Sequence, residues 1–227
     1  MMKTKPYPNI KYMIYEIIKN KIIDLQLKPG DFLSDRNLAR QLNVSRTPVR
    51  EALTLLQKEN FVIQHPKRGF RVNEISLKNI SDMYEAREAI ESTALKISAK
   101  KHVISDLEKL SQLLKHHEKL IETFEPQGKF LEDAQFHKSL MEISGNQYML
   151  EILESIFQRI QMLRNIDPLS KRRVKTAFYE HVHIFECFKK GLYSEAEQML
   201  CKHIMESKND LINRIKNRFE LLHFNNR

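Results

Sequence analysis

Cysteines and long apolar runs are scarce in this chain of 227 residues. Its two cysteines, Cys187 and Cys201, provide no disulfide framework, which is typical of a reducing compartment where thiols stay free. No apolar run approaches the length of a signal peptide or a membrane span. We therefore expect a cytoplasmic protein without a membrane partner, long enough to hold two small domains with separate cores.

Acidic residues are under-represented only in the first third of the chain. Residues 1–73 contain 14 basic and 6 acidic side chains, a net charge of +8, whereas the remainder contains 24 and 23, a net charge of +1. Positive charge concentrated in one region favours a nucleic acid as partner. A membrane surface is the alternative, since the basic amphipathic segment 12–27 would suit it. The same apolar residues would pack a first helix beneath a DNA-binding motif, and we prefer that interpretation.

Residues 34–56 predict two short helices joined by a tight turn. Ser34 and Ser45 are placed to cap the two helices, and Pro48 falls in the first turn of the second. One face of the second helix is apolar, while another carries an arc of polar side chains: Arg46, Thr47, Arg50 and Thr54. Such a helix can enter a major groove, because guanidinium groups pair with guanine edges or phosphates. The alternative is an amphipathic hairpin whose arginines only keep its surface soluble.

Two short β-prone runs follow, around the turn sequence HPKRG at residues 65–69. They predict a hairpin with Lys67 and Arg68 at its tip. A basic hairpin directly after a helix-turn-helix is placed to act as a wing that touches the DNA backbone or minor groove. An ordinary solvated turn is the alternative.

From residue 76 onward, strand signals vanish and six amphipathic helices are predicted. They span approximately 76–100, 105–124, 126–143, 147–165, 168–190 and 194–218. Helices of this length and number are typical of an antiparallel bundle. The predicted fold is therefore mainly α, with a winged helix-turn-helix domain over residues 1–73 followed by an all-α bundle over residues 76–227.

Three predicted helices of the bundle turn a histidine toward its interior. Asp133 and His137 are four residues apart on one helix face, and His181 and His203 lie on the apolar faces of two others. One carboxylate and three imidazoles suit a divalent transition metal such as Zn, Ni or Mn. The alternative is that these side chains are hydrogen-bonded polar groups of the core. His183 points nearly opposite to His181 and is a poor fourth ligand.

The first region resembles the winged helix-turn-helix of GntR-type bacterial transcription regulators. The matching segments are LKPGDFLSDRNLA (27–39), VSRTPVREAL (44–53) and RGFRV (68–72). Asn60 departs from the usual glycine before the wing, but asparagine tolerates a left-handed backbone, so we expect the turn to be kept. The resemblance implies that seven residues contact double-stranded DNA: Arg36, Arg46, Thr47, Arg50, Lys67, Arg68 and Gly69.

Residues 76–215 resemble the FCD effector domain of the FadR subfamily of these regulators. The matching segments are YEAREAIE (84–91), DAQFHKSLMEISGN (133–146) and EHVHIFECFKKGLYSEAEQMLCKHI (180–204). The resemblance implies a metal held by Asp133, His137, His181 and His203, and a small organic-acid effector whose carboxylate completes the coordination. Arg87 matches a family arginine that faces the effector pocket; a salt bridge to Glu91 is its alternative role.

Together these features predict a homodimeric, ligand-responsive transcription regulator and not an enzyme. Repression relieved by ligand is the commoner mode in the family, so we expect a repressor. Each wing-and-helix module would read half of a palindromic operator. Two alternatives stay open. A metal-dependent enzyme would use the same histidines, although the chain has no His-Glu-x-x-His. A constitutive DNA-binding protein with a purely structural metal is the other.

Overall fold

The computed structural model describes residues 10–66, 68–74, 76–123, 129–167 and 169–224. The chain divides into two compact units between residues 75 and 76. The described helices and strands of the first unit are α1 (Ile10–Ile23), β1 (Phe32–Leu33), α2 (Asp35–Gln41), α3 (Arg46–Lys58), β2 (Val62–His65) and β3 (Gly69–Val72). Those of the second unit are α4 (Leu77–Lys101), α5 (Ile104–Thr123), α6 (Lys129–Ser144), α7 (Gln147–Ile166), α8 (Lys171–Lys189) and α9 (Tyr193–Phe224).

Helix α1 packs against α3 in the core of the first unit. The buried face of α3 is the predicted one, and α1 contributes isoleucines one turn apart; the fully buried side chains are Ile14, Ile18, Ile22, Val49, Ala52, Leu53 and Leu56. The amphipathic pattern predicted helical structure as far as residue 27, but α1 ends at Ile23. Leu25 adopts a left-handed φ of 59°, and the Leu27 N–H bonds back to the Lys21 carbonyl at 2.9 Å, which closes the helix end.

The two predicted capping serines differ in what their side chains do. Ser34 caps α2 as predicted, since its hydroxyl accepts a hydrogen bond from the Asn37 N–H at 3.3 Å. Ser45 occupies the N-cap position of α3, but its side chain makes no capping hydrogen bond. The third residue of the helix would normally supply the donor, and here it is Pro48, which has no N–H.

A three-stranded antiparallel sheet in the order β1-β3-β2 forms the wing. The predicted hairpin of β2 and β3 is confirmed, with Val62 opposite Val72 and His65 opposite Gly69. Strand β1 was not predicted, because two residues are too few to show an alternating pattern. Asn60 has a φ of 57°, so the left-handed turn expected at this position is present. Lys67, predicted at the tip, lies outside the described residues.

The second unit is a helical bundle with α4 in contact with α6, α7 and α9, and with α8 packed on α5 and α9. Its described helices coincide with the six predicted ones. Helix α9 continues to Phe224 instead of ending near Arg218, because no glycine or proline interrupts it there. In the parts of the chain that the structure describes, no helix combines the length and apolar character needed to cross a membrane.

Candidate functional site

The polar face of α3 carries two exposed arginines one turn apart. Both reach the carboxylate of Asp35 at the start of α2: Arg46 Nη2 lies 3.0 Å from Asp35 Oδ2, and Arg50 Nε lies 3.7 Å from the same oxygen. Thr47, Arg50 and Thr54 line one shallow groove of this face, as their shared arc predicted. Asp35 was not anticipated as a partner, because it is eleven residues from Arg46 and belongs to another helix. A surface of this kind offers guanidinium donors already oriented by a carboxylate.

The wing places a second cation next to an aromatic ring. The Arg68 guanidinium lies 5.3 Å from the centre of the exposed Phe32 ring, and Phe32 also meets the His65 ring edge to face. Gly69 has a φ of 85°, and a Cβ at this position would lie 3.1 Å from the Leu33 carbonyl oxygen, so glycine is required here. Arg36 is exposed on α2.

Asp133, His137, His181 and His203 come together inside the second unit, and we call them the histidine cluster. The Nε2 atoms of the three histidines lie 3.2 Å from one another in every pairing, and His181 Nε2 is 3.5 Å from Asp133 Oδ1. Three helices supply them from faces that are otherwise apolar, since Leu140, Ile184 and Leu200 are buried beside them. His183 is exposed, as its spacing from His181 predicted. The structure thus brings together all four residues that the sequence predicted as ligands.

Two glutamates contact the histidine cluster from behind. His137 Nδ1 lies 2.5 Å from Glu91 Oε2, and His203 Nδ1 lies 2.6 Å from Glu180 Oε2. An ionised carboxylate only accepts hydrogen bonds, so each Nδ1 is the donor. In the neutral form of either ring, the other nitrogen, Nε2, then carries a lone pair that points into the cluster.

The electrostatic surroundings keep the carboxylates ionised and the His181 and His203 rings neutral. Burial alone would raise the pKa of Glu91, but the charge of Arg87 and the contact with His137 outweigh it and lower the pKa to about 2. Burial lowers the pKa of His203 to about 4, although its hydrogen bond to Glu180 opposes the shift. Burial also lowers the pKa of His181 well below its usual value. A neutral imidazole is the form that binds a metal.

The residues present fit a divalent metal ion. Metal–nitrogen bonds of about 2.0 to 2.1 Å place neighbouring donors of a tetrahedral or octahedral site about 2.8 to 3.4 Å apart, and the three Nε2 atoms are spaced within that range. Without a shared cation, lone pairs of neutral rings would face one another in a buried site. The cluster therefore has the donor set and the spacing of a metal centre.

Arg87 lies behind the cluster, fully buried on α4. Its Nε donates to Glu91, so the salt bridge considered from the sequence is present. Its Nη2 makes no hydrogen bond within the described residues, and its guanidinium lies 4.6 Å from the centre of the Phe157 ring. Burial of a guanidinium donor without a hydrogen-bond acceptor is costly.

Sequence reasoning did not assign Glu91 and Glu180 to the candidate metal centre. Glu91 was considered only as a partner of Arg87, and Glu180 was given no role. Both lie on faces shared with arginines: Arg173 Nη1 lies 3.0 Å from both carboxylate oxygens of Glu180. The sequence signal for these two glutamates was an arginine at helical spacing on the same helix. Which histidine each carboxylate contacts depends on how the helices pack.

Comparison with known proteins identifies the two units. A model described as bacterial regulatory proteins of the gntR family matches residues 11–72, and a model of the FCD domain matches residues 82–206. Two curated relatives span most of the chain. The uncharacterized HTH-type transcriptional regulator YdhC of Bacillus subtilis is 28% identical over 200 residues, covering 88% of this chain and 89% of YdhC. The HTH-type transcriptional repressor RspR of Escherichia coli is 26% identical over 201 residues, covering 88% of each.

A solved structure confirms the fold. Escherichia coli McbR/YncC superposes with a TM-score of 0.75 at 20% identity, covering 91% of this chain and 99% of that one. The family models and the curated relatives define the class as a DNA-binding transcription regulator, and those relatives are named as transcriptional regulators, not enzymes. The chain belongs to the gntR family of bacterial regulatory proteins and carries an FCD domain, as its sequence motifs indicated.

Proposed function

We propose that this regulator is a metal-dependent repressor whose affinity for DNA is changed by a small carboxylate effector. The convergence of three Nε2 atoms at mutual distances of 3.2 Å is the observation that supports it most directly. Asp133, His137, His181 and His203 would hold the divalent ion, which supplies positive charge and open coordination positions for an anionic oxygen. The donor set suits Zn, Ni or Mn.

Arg87 would hold the effector. Its buried Nη2 has donor capacity left after the salt bridge to Glu91, and a carboxylate matches the guanidinium in charge and shape. An effector acts only through different affinities for the DNA-competent and incompetent states, and DNA binding must weaken effector binding by the same factor. Repression is proposed by analogy with RspR, whose name describes it as a repressor. Such a protein works in the cytoplasm, where the bacterial chromosome lies.

The DNA-binding surface would consist of the polar face of α3, the wing and Arg36. The exposure of both recognition arginines and the net charge of +8 in residues 1–73 support it. The contacts would come from residues that the family motifs mark: Arg36, Arg46, Thr47, Arg50, Lys67, Arg68 and Gly69.

A homodimer on a palindromic operator completes the proposal. Exposed apolar side chains on α7 support it: Tyr148 is 81% exposed and Ile152 is 51% exposed. Ile152 borders a groove between α4 and α7 of about 500 Å³, with Met83 and Ile156 in its lining.

Two experiments test the dimer and its operator. Selecting the DNA sequences that the protein binds from a pool of random duplexes should recover an inverted repeat. Ile152→Glu should shift the protein toward monomer in sedimentation, and a wild type that is already monomeric on DNA would contradict the dimer.

Elemental analysis of the purified full chain tests the metal centre. We expect about one divalent ion per chain, lost in His181→Ala and retained in His183→Ala, which changes the exposed histidine two residues away. A wild type without metal, or a His181→Ala variant that keeps its ion, would overturn the ligand assignment. Effector screening would then follow with small mono- and dicarboxylates on the metal-loaded protein.

A further inference from the structure

The three histidines of the cluster are not held alike. His137 and His203 each donate from Nδ1 to a glutamate, at 2.5 Å and 2.6 Å. His181 Nδ1 makes no hydrogen bond within the described residues. The His181 ring instead stacks on Phe136, with ring centres 4.3 Å apart and planes 18° apart. Hydrogen bonds therefore orient two rings and select their tautomer, whereas packing orients the third and selects none.

Each glutamate is itself held by an arginine. On α4, Arg87 and Glu91 are one turn apart and both side chains are 1% exposed. On α8, Arg173 contacts both oxygens of Glu180 at 3.0 Å, and its Nη2 donates to Ser207 Oγ of α9 at 2.8 Å. Two chains of contacts thus reach the cluster from different helices, each running from an arginine through a glutamate to a histidine. The arginines hold the carboxylates in place.

We propose that Glu91 and Glu180 are positioning residues that hold His137 and His203 as Nδ1-protonated tautomers and so direct both Nε2 lone pairs at one divalent cation. This assignment rests on the proposed metal site. The alternative tautomer would put a proton on Nε2 and block coordination. Preselecting the tautomer removes that competing state before the cation binds, which raises affinity without adding a ligand.

A glutamine in place of either glutamate tests the idea with little change in shape. In Glu180→Gln, the new side-chain carbonyl oxygen would face Arg173 and the new NH₂ group would face His203 Nδ1, favouring the wrong tautomer. In Glu180→Gln and Glu91→Gln, Zn²⁺ affinity measured by competition with a chelator should fall roughly 10- to 100-fold. Glu186→Gln is the matched control on the same helix, because Glu186 pairs with Lys189 and is not among the contacts of the cluster.

Nitrogen NMR of the metal-free full chain gives a readout that a merely structural role would not move. Long-range ¹H–¹⁵N spectra should show Nδ1–H tautomers for His137 and His203, with the His203 signal alone changed in Glu180→Gln. Because Glu91 is fully buried, Glu91→Gln could misfold; Glu180 is 20% exposed and keeps the test decisive. The unfolding midpoint of metal-free Glu180→Gln should match that of Glu186→Gln.

The outcomes of these experiments distinguish a failure of the positioning role from a failure of the proposed metal site. A wild type that binds no Zn²⁺ would overturn the metal site and this assignment with it. A wild type that binds Zn²⁺, with unchanged affinity in Glu180→Gln, would overturn the positioning role alone. So would Nε2–H tautomers in the metal-free wild type.

Discussion

The two units place their charged groups in opposite ways. Among the described residues of the first unit, one charged side chain is buried, that of Lys19. It donates hydrogen bonds to Tyr15 and Glu59, and the Glu59 carboxylate balances its charge. The two arginines on the polar face of α3, Arg46 and Arg50, have side chains that are more than half exposed. In the second unit the charged and titratable groups gather inside. They include Arg87, Glu91, His137, His181 and His203, each at most 1% exposed.

This contrast follows the size of the partner proposed for each unit. A DNA duplex is too large to be enclosed by a small domain, so it is recognised by an exposed surface whose charges remain in water until contact. A metal ion and a small anion are recognised best where water is excluded and ligands are preoriented, because electrostatic interactions are stronger there. The first unit therefore needs a stiff apolar core beneath a polar surface, and the second a polar centre within an apolar bundle.

Removing part of the apolar core beneath the polar face of α3 should give the largest effect. Leu53 is fully buried on the inner face of α3, so Leu53→Ala should destabilise the first unit by about 2 to 5 kcal/mol. Thermal unfolding followed by calorimetry should show one transition shifted down and the other unchanged. A matched decrease in both transitions would mean that the two units unfold together.

Removing the metal with a chelator should destabilise the second unit alone, whereas Leu53→Ala should destabilise the first. At a free metal concentration about 100 times the dissociation constant, a bound ion adds about 2.7 kcal/mol to stability. Adding a chelator should therefore lower the second unit's unfolding midpoint while leaving the first unit's in place. Complete unfolding of the second unit would instead identify a structural metal on which folding depends.

Changing one arginine on the polar face of α3 should weaken DNA binding without changing the stability of the fold. Arg46→Ala should weaken operator binding by about 1 to 3 kcal/mol, because a guanidinium that pairs with a base edge is lost. Fluorescence anisotropy on a selected operator measures this, and circular dichroism checks that the fold is intact. Lys58→Ala, at the far end of the same helix, is the control. Equal affinity for Arg46→Ala and wild type would rule out the proposed recognition face.

Arg68→Ala in the wing should have the smallest effect. Arg68 is exposed and stands beside Phe32, where it would meet a phosphate. Loss of one phosphate contact should reduce the slope of log affinity against log salt concentration by about 0.9, with little change in sequence preference. An unchanged slope together with altered preference would indicate a base contact instead.

Much of this arrangement could be predicted from residue patterns. The apolar spacing of Val49, Leu53 and Leu56 predicted the buried face of α3, and Ser34 predicted a helix start. Local patterns were misleading where a few residues override periodicity. The segment 12–27 looked helical throughout, yet Leu25 turns the chain, and Ser45 looked like a cap although Pro48 removes a donor.

The sequence by itself determined the two-unit organisation, the helix faces and the four candidate ligands, because these follow from periodicity and from motifs within single helices. Only the tertiary structure decided that Asp35 holds Arg46 and Arg50, that Glu91 meets His137, and that Glu180 meets His203. Glu91 and His137 are 46 residues apart and lie on different helices. Contacts of that kind depend on how helices pack against one another, which no local pattern encodes.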